Sequence, residues 1–529
     1  MSISAIKNDT TAARKEQARR PDWQTLLFWA IVVALFAIAI VMRFYQLGLP
    51  FDRDSYDEGV YWQSLRAMGA GHALYGDIFY SQPPFFLLST YPFYAIFGAS
   101  LWSARLGIVV ISLVGLVGAF LLGKALSGRL GAVAALLLAV VDPLFLAQSQ
   151  TIQAEASSVA FSFLAAGLAF YWWKYPNGWR GLLLAILTGV TVALSILCKL
   201  LGVALLVPVL LLMVARLWQS GAGVRGAGGR RAGDHKGRPY VAVAAGIGAF
   251  LLTIALFVLP FLGAFQAMWS GVVTFHTSAG SLLGNDPQLG QSGNTVKVEI
   301  ALATLLTLAG LYGSVAALLR QDWRVLPLLG WFLATAFLLW RQVPLFNHHM
   351  VSLTPPLIAL AVMGIAEPST YKRVFSSASA SRTIMVLTWI AVLLVLLTAV
   401  LDVRTDRAYY NNAAARGVDG LAQLEARVAA DLDQAITARQ QVVTDAQFIA
   451  GLANRDTPPA LVDTSMVRIE TGYITLAQLE AITAQPQVHA VLFFSGRFSL
   501  SGVSAFHAWV AQRFHLLHNY GGGKELWVR

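Results

Sequence analysis

The sequence predicts a polytopic α-helical membrane protein of about 11 transmembrane helices with a C-terminal extracytoplasmic α/β domain, and three observations carry that expectation. Hydrophobic residues make up 57% of the 529-residue chain and charged residues only 12%, far from the balance of a soluble globular protein. Apolar stretches recur up to residue 401; at about 1.5 Å per residue, about 20 residues cross a hydrocarbon core of about 30 Å. Beyond that point acids and bases nearly balance and no further apolar span occurs.

The spans are expected near 26–47, 104–126, 130–147, 156–173, 181–197, 200–218, 241–262, 300–319, 326–340, 351–365 and 384–401. Lys7, Arg14, Lys15, Arg19 and Arg20 precede the first, with no small-residue cleavage site after it. This is the pattern of an uncleaved anchor with a cytoplasmic N-terminus. The first span then delivers FDRDSYDEGVYW to the outer face. PPFFLLSTYPFYAIFGAS is short for a span and broken by Pro92, so it is expected to lie along the outer surface. That choice makes every cytoplasmic turn basic: Lys124/Arg129, Lys174/Arg180, the Gly-rich loop with Arg225, Arg230, Arg231, Lys236 and Arg238, Arg320/Arg324, and Lys372/Arg373/Arg382. Topology therefore accounts for the net charge of +11 better than a nucleic-acid partner does. The single cysteine, Cys198, excludes a disulfide framework or a cysteine-based metal site.

The expected division is a membrane domain over 1–401, with a first outer loop at 48–103, and an α/β domain over 402–529. In the latter, a helix at 420–440 is followed by QQVVTDAQFIAGLA as strand and helix, PPALVDTS as a strand and LAQLEAITA as a helix. HAVLFFSG then reads as a strand, FHAWVAQRF as a helix and KELWVR as a closing strand.

Chemistry concentrates on the outer face. Asp52, Asp54, Asp57 and Glu58 crowd into seven positions just past the first span, a density that anchoring does not require. A carboxylate at the membrane surface can serve as a general base or hold a cation that neutralises a phosphate. Glu155 is the only acid between Asp142 and Asp234, and an isolated carboxylate at a helix mouth has either a partner or a task. Arg105, Lys199, His276, Arg341, His348 and His349 are candidate phosphate ligands on that face. Against this stand snorkelling for Lys199 and Arg341, and a polar turn or metal site for the histidines. Neighbouring histidines on a helix diverge by about 100°, so only one of the pair is expected to act. The sequence has no phosphate-cradling Gly loop, nucleophile elbow or HExxH motif, which favours a lipid-borne donor.

In order, DEGVYW, YGDIFYSQPPF, SARLGIVVISLVG and LSGRLGAVAALLLAVVDP, and later NHHMVSLTPPLIALA, resemble the GT-C glycosyltransferases of family 39 type. These include protein O-mannosyltransferases and lipid A aminoarabinose transferases. The resemblance implies a GT-C fold, Asp57 as catalytic base with Glu58 beside it, and Glu155 as the acid of the second outer loop. It suggests that Arg105 and Lys199 approach the donor phosphate. From the residues themselves, Arg341 and His348 are further candidates for that contact, and Tyr61, Gln82 and His276 are expected around the substrate. Where relatives often carry Lys or His before the double proline, this chain has Gln82, which removes a charge from the donor side. A divalent cation is compatible with such sites, but no metal is assigned.

The function expected is inverting transfer of a sugar from a polyprenyl-phosphate donor to a lipid, glycan or protein acceptor at the outer face of the cytoplasmic membrane. A secondary transporter, or a noncatalytic envelope assembly or sensor protein, is the alternative. A transporter would place its charges mid-span and its broken helices in repeated halves.

Overall fold

The computed structural model describes residues 23–51, 56–225, 238–366 and 378–529. Asp52, Asp54, the basic N-terminal arm, the centre of the Gly-rich loop, Lys372 and Arg373 lie outside the described residues.

Seven helices among the described residues are long and apolar enough to cross a membrane. They are Trp23–Phe44, Leu101–Val141, Ala154–Lys174, Gly178–Cys198, Leu200–Gln219, Tyr240–Leu283 and Arg382–Arg416. The pair Gln291–Leu302 and Leu305–Leu319, bent by 74°, makes an eighth if it is one span. Length and composition thus do not reach the expected eleven, for two reasons. Val325–Arg341 and Thr354–Met363 are only 17 and 10 residues long. In addition, the stretches read as two spans on either side of the Lys124/Arg129 turn form one 41-residue segment, Leu101–Val141, broken where Ser127 and Gly128 leave helical geometry.

Gly128 has φ 67°, which a side chain would strain. Beyond it the two limbs press together: a Cβ on Gly123 would lie 2.2 Å from the Gly131 carbonyl oxygen. Arg43 spans the hairpin, donating to Ser112 Oγ (3.1 Å) on one limb and to the Ala139 and Val140 carbonyls on the other. The Phe85–Phe97 helix, 13 residues with Pro92 inside, is shorter than a span.

Contacts sort the helix ends into two groups. Arg129 reaches Thr25 at the start of the first helix, and Arg324 donates to the Ala125 carbonyl. Those basic turns therefore cluster at one end. At the other, Gln150 donates to the Met42 and Arg43 carbonyls, Arg105 pairs with Glu58 and Lys199 pairs with Glu155.

The last long helix runs from Ala378 to Arg416, past the boundary expected at 401/402, because apolarity ends there but no Gly or Pro stops the helix before Gly417. The α/β domain follows, with strands β1 (Gln441–Thr444), β2 (Val488–Phe493), β3 (His515–Gly521) and β4 (Lys524–Val528) in the order β1-β2-β4-β3. β1 and β2 are parallel, and β4 is antiparallel to both its neighbours. Alternation along the strands divides the core. Val442, Ala490 and Leu492 pack toward the Gly420–Ala435 helix, while Val443, Val491 and Phe493 pack with residues of the Leu476–Thr483 and Phe506–Ala511 helices. Two expectations need correction. PPALVDTS is no strand: its prolines permit only a short 3-10 turn, Pro459–Leu461. β3 is a strand the sequence reading lacked, because on this edge of the sheet the apolar Leu516 and Leu517 are exposed like the polar Asn519, and no alternation of apolar with polar residues marks it.

The α/β domain docks on the Tyr56–Gly69 helix. Gln63 donates to the Gln447 and Arg455 carbonyls and accepts from Thr457, while Arg66 pairs with Asp456 at 2.7 Å. Gly59 makes this approach possible, since a Cβ there would lie 2.5 Å from the Phe448 backbone nitrogen. Gly59→Val is therefore expected to weaken docking by about 1–3 kcal/mol. Limited proteolysis that releases the α/β domain faster than in wild type checks this, and an unchanged cleavage rate would refute it.

Candidate active site

A cavity of about 690 Å³ opens between the two domains. Its membrane-domain wall includes Tyr56, Asp57, Tyr61, Ser81, Gln82 and Lys199, together with His276, His348 and His349. Its opposite wall belongs to the α/β domain and includes Asp463, Ser465, Ser495 and Arg497.

Asp57 and Glu58 are the first acids of the Tyr56–Gly69 helix, and adjacent helical positions point about 100° apart. Asp57 therefore faces the cavity, with 39% of its side chain exposed. Glu58 turns inward and is buried. Its carboxylate takes Arg105 Nε and Nη2 at 2.8 and 2.7 Å and the Ile152 N–H at 3.0 Å.

Behind Asp57 lies a charged row. His348 Nε2 is 3.7 Å from Asp57 Oδ2 and 3.5 Å from Glu155 Oε1. His349 Nε2 is 3.4 Å from the same Glu155 oxygen, and Lys199 Nζ pairs with it directly. Glu155 begins the Ala154–Lys174 helix and is 2% exposed. Lys199 sits in the turn after Gly178–Cys198 and enters the cavity. His348 and His349 lie on the 3-10 turn Asn347–Leu353, and although adjacent residues there diverge by about 120°, their ring centroids lie 4.5 Å apart and both rings reach Glu155, so the split expected from the sequence does not occur.

Glu155, His348 and His349 bring one ligand atom each within 4.8 Å of one another, a spacing that could hold a cation. Two features oppose it. The Phe346 N–H points at His349 Nδ1, which leaves the proton of a neutral ring on Nε2, and Lys199 takes the carboxylate oxygen such an ion would need. The group as built is an ammonium–carboxylate–imidazole cluster.

Burial pushes the Asp57 carboxyl above its ordinary range, opposed by His348 and Lys199 and reinforced by Glu155. Burial also lowers His348, although Glu155 and Asp57 pull it up. A proton acceptor with raised affinity and a neutral imidazole thus share one wall.

Among the other expected site residues, Tyr61 and Gln82 line the cavity. His276 lines it too, and its Nε2–H donates to the Ser81 carbonyl at 2.9 Å. Arg105 and Arg341 do not line it. Arg105 is fully buried, and beyond Glu58 it spends Nη1 on the Leu47 and Leu49 carbonyls. Four of its five N–H donors are thereby used within the fold, where they tie the start of the Tyr56–Gly69 helix to the end of the first helix. Arg341 ends its helix exposed. The sequence reading missed the whole α/β-domain wall. The one available signal was the SGR triplet closing strand HAVLFF.

Residues 81–222 match the dolichyl-phosphate-mannose-protein mannosyltransferase family (PMT_2). The whole chain superposes on the crystal structure of apo ArnT from Cupriavidus metallidurans with a TM-score of 0.56 at 13% identity, covering 95% of this chain and 97% of ArnT. The structure of that ArnT bound to undecaprenyl phosphate matches with a TM-score of 0.53 at 13% identity and the same coverage. No curated protein matches. The chain has an ArnT-like fold, apolar helices followed by a C-terminal α/β domain. Within that class it resembles the protein O-mannosyltransferases in sequence over residues 81–222 and ArnT in fold along nearly its whole length.

Proposed function

We propose that this protein is a GT-C glycosyltransferase that moves a sugar from a polyprenyl-phosphate donor to an acceptor hydroxyl, with inversion at the anomeric carbon and Asp57 as general base. The observation that carries the reading is the placement of Asp57 in one cavity with Lys199 and His348, both of which contact the buried Glu155 behind the wall, at the end of the helices opposite the basic turns. The positive-inside rule makes that end extracytoplasmic, in the cytoplasmic membrane.

In the reaction Asp57 takes the proton of the acceptor hydroxyl as its oxygen bonds to the anomeric carbon. The bond from that carbon to the phosphate oxygen breaks with its electron pair, releasing polyprenyl phosphate. Lys199 lies where it can meet the departing negative charge, and the protein walls strengthen that attraction by excluding water. The polyprenyl carrier draws support from ArnT, whose structure holds undecaprenyl phosphate. Lipid, glycan and protein acceptors all offer the required hydroxyl.

The test is transfer of labelled sugar from polyprenyl-phosphate donors by the purified protein in lipid, with the anomeric configuration of the product read by NMR. Transfer with inversion, inhibited by added undecaprenyl phosphate, is the expected result. Retained configuration would exclude the single displacement, and absence of both transfer and undecaprenyl phosphate binding would overturn the reading.

A further inference from the structure

β1 and β2 run parallel, so the loops leaving their carboxyl ends lie side by side, the place where open α/β sheets hold ligands. Here the loop after β2 lines the cavity through Ser495, Gly496 and Arg497. Asp445, fully buried after β1, ties them together. Its Oδ1 accepts the Phe494 and Ser495 N–H groups and its Oδ2 accepts the Arg497 N–H. Gly496, at φ 83°, makes the turn that such bonding requires.

This fixed loop presents one cation. The Arg497 guanidinium stacks on the Tyr56 ring with its carbon 3.9 Å from the centroid. Tyr56 is itself held by the Thr464 N–H (2.6 Å) and hydroxyl (2.8 Å). A guanidinium offers five N–H donors, and Nη1 meets the Asp445 carbonyl at 3.1 Å. Among the described residues no carboxylate pairs with Arg497. Asp463, the nearby acid of the same wall, turns its Oδ1 to the Ser465 N–H. A half-buried, preorganised and charge-unpaired arginine on a cavity wall is a site for an oxyanion.

We propose that Arg497 forms a second anion subsite, on the α/β-domain wall facing Lys199, that recognises a phosphate or carboxylate on the acceptor. The inference rests on the glycosyl-transfer reading of this cavity. It makes the α/β domain part of acceptor selection, and an acceptor oxyanion held there sets the attacking hydroxyl beside Asp57.

The full-length protein in nanodiscs, empty or saturated with undecaprenyl phosphate, is titrated with phenyl phosphate and with benzoate by calorimetry. Wild type is expected to bind one or both probes equally in the two states. Arg497→Met is expected to weaken that binding at least about tenfold, the scale of one lost charged hydrogen bond, and Arg497→Lys to retain part of it. Melting temperatures identify a variant that fails to fold, and Arg497→Lys then carries the comparison. Unchanged probe affinity in Arg497→Met, or no probe binding by wild type, would overturn the subsite. Binding abolished by undecaprenyl phosphate would assign Arg497 to the donor phosphate and equally overturn an acceptor role. Failure of undecaprenyl phosphate itself to bind, with probe binding still dependent on Arg497, would instead count against the donor reading and leave the subsite standing.

Discussion

Asp57→Asn is expected to lower turnover by about 10²–10⁴-fold, the range over which a positioned base acts, with melting temperature and donor binding close to wild type. Asn preserves shape while removing the proton acceptor, and the partly exposed position of Asp57 means that no buried ion pair is broken. The same residue sets a pH dependence whose sign follows from its surroundings. Partial burial raises the Asp57 carboxyl above its ordinary value, and His348 and Lys199 only partly offset this. A base works ionised, so activity is present above that raised value and is lost as pH falls through it. The profile of kcat/KM against pH should therefore show one acid limb, displaced upward from the ordinary aspartate range, which Asp57→Glu moves. An acid limb that survives unchanged in Asp57→Glu, or turnover undiminished in Asp57→Asn, would remove Asp57 from the chemistry.

Much of this was legible in the sequence because the relevant signals are local. Apolar length marks most spans, and basic turns group their ends. The short continuous apolar run in HAVLFF marks β2, and an acid-rich segment after the first span marks Asp57. What was not legible depended on distance or on backbone detail. The choice between Asp57 and Glu58 needs the helical offset and the presence of Arg105, 47 positions away from Glu58. Joint use of His348 and His349 needs Glu155 as their common partner, and that residue lies on a distant helix which no residue near the pair specifies. Arg497 reaches the cavity only because a Gln63 amide, an Arg66–Asp456 pair and a side-chain-free Gly59 dock one domain on the other, and no window of residues around Arg497 reports that.

Arg105→Met is expected to cost about 3–5 kcal/mol of stability, because it strands the Glu58 carboxylate in a buried site. Both side chains are nearly inaccessible, at 0% and 3%, and their bond is bidentate. The same guanidinium also satisfies the Leu47 and Leu49 carbonyls at the mouth of the first helix and lies over Phe51. The loss should therefore spread to the residues that lead into Asp57. Glu58→Gln is expected to cost less, since an amide oxygen can still accept from Arg105 and from Ile152 N–H. Combining Arg105→Met with Glu58→Met should recover part of the deficit by removing the stranded charge, although the Leu47 and Leu49 carbonyls stay unpaired. Thermal melting in detergent across this double-mutant cycle measures the coupling. It also decides between two roles for the arginine. A structural tie lowers the melting temperature while the surviving folded fraction binds undecaprenyl phosphate normally, whereas a phosphate ligand, as the family resemblance implied, would leave melting unchanged and weaken that binding.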